Sequence, residues 1–133
     1  MRLGIIGTLA LIGMLASTAR LRAHHSFSAE YDAKAMITLT GKVNSVEWSN
    51  PHISIHLDVT DAAGKVTRWA VEGYPPNTLS RNGFARENLK QGDTVTITAF
   101  RAKNGSNTAS GHEVIFSDGT KKLVGGQTEF FKR

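Results

Sequence analysis

Between His52 and Thr60 the sequence alternates cleanly, and this run narrows the possible folds more than any other feature of the chain. Ile53, Ile55, Leu57 and Val59 share one phase, and His52, Ser54, His56 and Asp58 share the other. Successive side chains of a β-strand point to opposite faces, so a period of two predicts a strand with one greasy and one wet face. Asp61-Ala62-Ala63-Gly64 follows and suits a type I turn closed by a left-handed glycine, the usual three-residue hairpin loop. That loop sets Leu57 opposite Trp69, Ile55 opposite Val71 and Val59 opposite Thr67. On the wet face it sets Asp58 opposite Arg68 and Ser54 opposite Glu72. Apolar meets apolar and acid meets base, so turn chemistry and patterning point to one register.

The remaining segments read as further strands. Met36 to Trp48 is a long first strand that changes phase: Ile37, Leu39 and Val43 fall on one side, Val46 and Trp48 on the other. The slip lies near Asn44-Ser45, and Gly41 loosens the same stretch. Such a slip marks a bulge or sharp coil, which lets one strand serve two faces of a small closed barrel. Asn50-Pro51 ends it. Pro75 to Gly92 interrupts the strands with a helix of about two turns, from Pro76 to Asn82, stopped by Asn82-Gly83. Leu79, Phe84 and Leu89 are expected to face the core. Asp93 to Lys103 is the fourth strand, with Val95, Ile97 and Ala99 inward. Gly111 to Phe116 is the fifth, and Asp118-Gly119 is a two-residue hairpin signal returning as Lys121 to Val124.

Three strands, a short helix and two strands, with a long kinked first strand, is the order of the OB-fold. The expectation is therefore an all-β fold: a small five-stranded OB-like barrel with a short helix between strands 3 and 4. The alternative is a β-sandwich, which usually needs about seven regular strands.

Residues 1–23 read as a secretory signal peptide, with Met1-Arg2 as a basic start and the apolar run Leu3 to Ala16. That run is shorter than the roughly 20 residues a bilayer span requires. Cleavage after Ala19 and after Ala23 compete, and the second makes His24 the first residue of the mature chain. Residues 24–35 then form a lead-in segment, 36–125 the barrel domain and 126–133 a frayed tail. The expected location is the periplasm or the exterior, with no stable membrane insertion after cleavage. The whole chain has 16 basic and 11 acidic residues. Arg2, Arg20 and Arg22 belong to the leader, which leaves 13 basic against 11 acidic residues from His24 onward, a net charge of +2. The chain has no cysteine, which removes disulfide and thiolate chemistry.

Several segments in order resemble the domain-of-unknown-function family DUF6152, a set of small exported bacterial proteins. They are His24-His25-Ser26-Phe27, Glu30-Tyr31-Asp32, Leu39-Thr40-Gly41-Lys42-Val43, and Val46-Glu47-Trp48 with Asn50-Pro51-His52. Asp61 with Gly64-Lys65, Trp69, Gly83, Leu89, Gly92-Asp93, Arg101-Ala102-Lys103, Gly105-Ser106 and Asp118-Gly119 continue the likeness. Tyr31 departs from it, standing where Phe is expected. The resemblance implies export and a small β-domain, and it implies no activity.

The five histidines are the main candidates for chemistry, since neutral imidazole is the commonest transition-metal ligand. If His24 comes first, its ring and its amine offer two nitrogens, and one more histidine completes a three-nitrogen site of the kind copper(II) accepts. His25, His52 and His112 are the candidate partners. His52 and His56 stand roughly 13 Å apart along a strand, too far to share one ion. The competing reading is structural: His52 and His56 as surface residues, His112 as a hydrogen-bonded histidine at the core's rim, His25 as an anchor of the lead-in segment. Glu30 and Asp32 share a face if their segment is extended, and with a histidine they form the candidate set for a hydrolase. Trp48 with Asn50-Pro51-His52 is either a recognition corner or a turn whose Trp fills the barrel.

Catalytic signatures are missing: there is no Gly-x-Ser-x-Gly elbow, no His-Glu-x-x-His and no dinucleotide fingerprint. An OB-like barrel commonly binds ligands across its second and third strands. Here that face presents Ser54, His56, Asp58, Arg68 and Glu72. It lacks the stacked aromatics and basic groove of a nucleic-acid binder. The leading expectation is thus an exported, non-catalytic binding protein for a small polar ligand or an envelope protein. The alternative is a copper-binding protein built on His24.

Overall fold

In the computed structural model, which describes residues 27–126, one strand organises everything else. After a single helical turn, α1 (Phe27–Glu30), strand β1 runs from Tyr31 to Glu47 without a break. It begins before the expected Met36, because Tyr31 still pairs with Ala102 across an irregular stretch that ends at Met36. β2 spans Ser54–Thr60, β3 Val66–Glu72, β4 Thr94–Ala102, β5 Thr108–Phe116 and β6 Lys121–Leu123. α2 (Pro76–Arg81) and a turn of 3-10 helix (Arg86–Asn88) lie between β3 and β4.

β1 serves two neighbours in succession. It pairs antiparallel with β4 as far as Lys42↔Thr94 and with β2 from Lys42↔Asp58 onward. The change falls at the expected slip: Val43 faces Leu57 and Ser45 faces His56, leaving Asn44 as the extra residue of a bulge. At Gly41 an added Cβ would lie 2.3 Å from the Asp58 carbonyl oxygen, so only glycine lets β2 approach there. The β2–β3 register is the one the hairpin chemistry predicts, from Ser54↔Glu72 to Val59↔Thr67. Asp61 Oδ1 accepts the Ala63 and Lys65 amides, each at 2.9 Å. The Asp118-Gly119 turn is the same kind of loop rather than a two-residue one. Phe116 N–H donates to Thr120 O and Gly119 N–H to Phe116 O, both at 2.9 Å.

β4 pairs with β5, and β5 pairs parallel with β3 over Ala70↔Thr108, Val71↔Ala109 and Glu72↔Ser110. The order β1-β2-β3-β5-β4-β1 is thereby a closed ring of five strands in an all-β body, with β6 outside on β5. A ring this small is equally described as two short layers face to face, and either way one core fills it. β5 begins at Thr108, earlier than the expected Gly111, and those first residues make the parallel seam.

Beyond the seam the chain itself fills the gap. Tyr74 N–H donates to Val124 O at 2.6 Å, and Val124 N–H donates to His112 O at 3.0 Å. Tyr74 Oη donates to Gly126 O at 3.0 Å. Gly125 sits so tightly that a Cβ there would lie 2.2 Å from Gly111 O. Residues 124–126 therefore act as a short extra stave between β3 and β5.

The core contains the inward phase of each strand: Ile53, Ile55, Leu57, Val71, Ile97, Ala99 and Val114 have no exposed surface. α2 ends as its Asn82-Gly83 pair predicts. Gly83 N–H donates to Ser80 O and Phe84 N–H to Leu79 O, the double bond pattern of a glycine-terminated helix. This turn drives Phe84 fully into the core beside Leu79. Phe84 meets Trp48 and Phe116 edge-on, at 6.0 and 6.2 Å between centroids. Trp48 is thus a packing residue. No helix among the described residues is long and apolar enough to cross a membrane.

Candidate functional site

The wet face of β2 and β3 has two unlike ends. At one end Arg68 grips Asp58, with Nε donating to Oδ1 at 2.8 Å and Nη2 to Oδ2 at 3.2 Å. Asn44, the bulge residue, adds a bond to Asp58 Oδ2 at 3.2 Å. These bonds, Arg68's first, hold the Asp58 carboxyl below the usual carboxylate range. His56 stands next along the face, its Nε2 3.0 Å from Glu47 Oε1. Arg68, Asp58 and His56 therefore satisfy one another or β1, and none of them lines either of the two hollows described below.

The other end is concave. Ser54 and Glu72 border a hollow of about 370 Å³ with Tyr31, Glu47, Asn50 and His52. Its two margins come from opposite ends of β1. Straight, that strand would span roughly 50 Å, but its coil brings Tyr31 and Glu47 to one site. A second hollow of about 550 Å³, lined by Glu30, Lys103 and Asn104 among others, shares Tyr31 and Thr108 with the first. The two hollows lie to either side of Tyr31 and Thr108.

Tyr31 borders both hollows. Its hydroxyl donates to Glu72 Oε2 at 2.8 Å. Burial raises its pKa well above the ordinary phenol value, and the bond and charge of Glu72, then the charge of Glu30, raise it further. The phenol thus stays protonated and keeps one Glu72 oxygen occupied. The smaller hollow has Glu47 and Glu72 on its lining and neither Lys nor Arg. It is an acceptor-rich site, suited to a ligand that brings hydrogen-bond donors.

The histidines are dispersed. His52 Nδ1 lies 3.0 Å from Gly73 O; a carbonyl only accepts, so Nδ1–H is the donor. His112 occupies the irregularity where β5 slips against Thr98 and Ala99. Its ring packs against Phe100 at 6.1 Å, and Phe100 packs against Phe27 at 5.4 Å. His24 and His25 lie outside the described residues. Among the described residues, no group of three or more His, Cys, Asp or Glu side chains is placed to hold a metal ion.

Glu30 and Asp32 do not share an extended face, because α1 ends at Glu30 and Asp32 belongs to β1. Asp32 Oδ1 accepts the Lys34 amide at 2.9 Å and lines neither hollow. The hydrolase set therefore does not assemble. Sequence reasoning missed Tyr31, Glu47 and Thr108. The available signal for Glu47 was its outward phase beyond the bulge, opposite Ser54.

The sequence model of DUF6152, a family of unknown function, matches residues 12–111. The chain belongs to this family. The matched stretch covers every residue lining the two hollows of this DUF6152 protein, whereas β6 and the stave at 124–126 lie past it. No curated protein and no solved structure matches the chain.

Proposed function

We propose that this DUF6152 protein is an exported, non-catalytic binding protein for a small polar ligand, seated between Tyr31, Glu47, Ser54 and Glu72. The partner class is a polyol, sugar or amine that donates hydrogen bonds, with a polar segment of an envelope protein as the other occupant. The supporting observation is the convergence of both ends of β1 with Ser54 and Glu72 on one hollow lined by carboxylates and by neither Lys nor Arg. Export rests on the leader pattern of residues 1–23. Titration of the protein with trehalose, glucosamine and putrescine, followed by amide NMR shifts, tests the site. Shifts centred on Tyr31, Ser54 and Glu72 that vanish in Tyr31→Phe and Glu72→Gln are expected. Shifts centred elsewhere, or none with any probe at millimolar concentration, would sink the reading.

The second reading is copper binding through an N-terminal His24. The Phe27–Phe100–His112 ring contacts favour it, because they tie the residues just after His24-His25 to the neighbourhood of His112. On this reading His112 outranks His52 as the third nitrogen donor. Mass spectrometry of the exported protein identifies the first residue. Copper(II) titration of that form should then weaken in His112→Ala and persist in His52→Ala.

A further inference from the structure

Two peptide links in this chain join asparagine to glycine, Asn82-Gly83 and Asn104-Gly105. Such a link can rearrange by itself, because glycine has no Cβ to obstruct the approach of its nitrogen to the side-chain amide. The fold treats the two links differently. Asn82-Gly83 caps α2: Gly83 N–H donates to Ser80 O at 3.1 Å, Phe84 N–H to Leu79 O at 2.9 Å, and Gly83 O accepts Lys122 Nζ at 2.7 Å. Turning that link pulls on the segment that seats Phe84 in the core. Asn104-Gly105 lies in the β4–β5 loop with both residues exposed, and Gly105 N–H makes only a long bond to Ala102 O, at 3.3 Å.

The Asn104 side chain is also primed. Ser106 N–H donates to one of its amide atoms at 3.0 Å, and Ser106 Oγ donates to the same atom at 2.7 Å. A backbone N–H only donates, which fixes that atom as Oδ1. Ser106 commits its one hydroxyl proton to Oδ1, so Thr108 Oγ1, 2.7 Å away, donates to Ser106 Oγ. The oxygen that gathers negative charge when Cγ is attacked therefore already holds two donors, one of them backed by a further hydroxyl.

We propose that Asn104 is a self-modification site, converted to aspartate and isoaspartate with Ser106 as the activating residue. Gly105 N bonds to Asn104 Cγ and gives up its proton, the Cγ–Nδ2 bond breaks, and Nδ2 leaves with that proton as ammonia. The cyclic imide then takes up water. Addition at Cγ opens it to aspartate, and addition at the Asn104 backbone carbonyl opens it to isoaspartate, with one more carbon in the main chain. Either product adds a carboxylate to the lining of the larger hollow, next in sequence to Lys103. The isoaspartate also lengthens the backbone leading to Asn107, whose carbonyl accepts the Ala70 N–H at 3.0 Å beside the parallel seam.

The test is timed incubation of the purified, folded protein in mildly alkaline buffer, with peptide mapping by mass spectrometry and isoaspartyl methyltransferase labelling at both links. Each backbone bond that must open first slows ring closure about fivefold, so Asn104 should convert faster than Asn82 by about tenfold or more. Ser106→Ala should slow Asn104 about fivefold, the worth of one hydrogen bond, and Ser106→Thr should restore the parent rate. Melting curves establish that both variants fold. In concentrated urea the two links should converge on similar rates. Conversion at Asn82 as fast as at Asn104 in the folded protein overturns the proposal. An unchanged or faster rate in Ser106→Ala also overturns it, by making the Ser106 bonds a restraint instead of an activation. A gap between the links that persists undiminished in urea overturns it too, by assigning the preference to neighbouring residues and not to the fold.

Discussion

Gly125→Ala tests how the ring is sealed. Gly125 lies on backbone that any residue adopts, since its φ is not among the positive ones. The whole cost of a methyl group is therefore steric. The new Cβ would sit 2.2 Å from Gly111 O, and relief to 3.0 Å requires at least 0.8 Å of displacement between two backbone segments. No side-chain rotation can supply it. Overpacking of this sort costs about 1–3 kcal/mol. Pushing residues 124–126 outward also strains the Tyr74 N–H···Val124 O and Val124 N–H···His112 O bonds, each worth about 1 kcal/mol. Alanine's lower unfolded-state entropy returns up to about 1 kcal/mol. The net loss is about 3 kcal/mol, which lowers Tm by about 12–24 °C in a domain of this size. Thermal denaturation followed by circular dichroism reads it, and amide exchange at Tyr74 and Val124 localises it. Gly119→Ala is the comparison: its Cβ meets nothing within 4 Å and costs only the left-handed backbone penalty, about 1–2 kcal/mol. A Gly125→Ala protein that melts no earlier than Gly119→Ala would refute the stave.

Two further outcomes follow from the packing and the charges. Phe84→Ala empties the space between Leu79, Trp48 and Phe116 and should cost about 3–5 kcal/mol in urea denaturation; a loss below 1.5 kcal/mol would mean the site collapses freely. Asp58 should titrate below the ordinary carboxylate range in carboxyl NMR, and Arg68→Gln should move its midpoint upward. Because the folded-state value is depressed, the pair's contribution is present above the unfolded carboxylate value and fades as pH falls through the depressed one; an unchanged midpoint in Arg68→Gln would contradict the assignment.

The parts of the fold most legible in the sequence are those where two local signals agree. The β2–β3 register followed from strict alternation and an Asp-to-Gly turn, and the Asn44 bulge followed from a phase slip within one strand. The helix end at Gly83 followed from the Asn82-Gly83 stop signal. The parallel seam was not legible, because Thr108-Ala109-Ser110 has no apolar alternation and its partners on β3 are about 38 positions earlier. The start of β1 was missed for a related reason: Tyr31 to Ala35 carries no period, and its placement depends on Ala102, far along the chain. The candidate hollow inherits both gaps. Ser54 and Glu72 were named from the face they share, while Tyr31 and Glu47 reach it only through the curvature of a strand whose ends look unrelated on paper.

That curvature has a consequence for how the site could diversify. A single length of backbone supplies both jambs of the opening, so its bend acts as the gauge of the aperture. Asn44 contributes no atom to the lining, yet deleting it would restore regular pairing, relax the local coil and part Tyr31 from Glu47. One inserted or lost residue on the far side of the strand would therefore resize the opening while every lining side chain stayed the same.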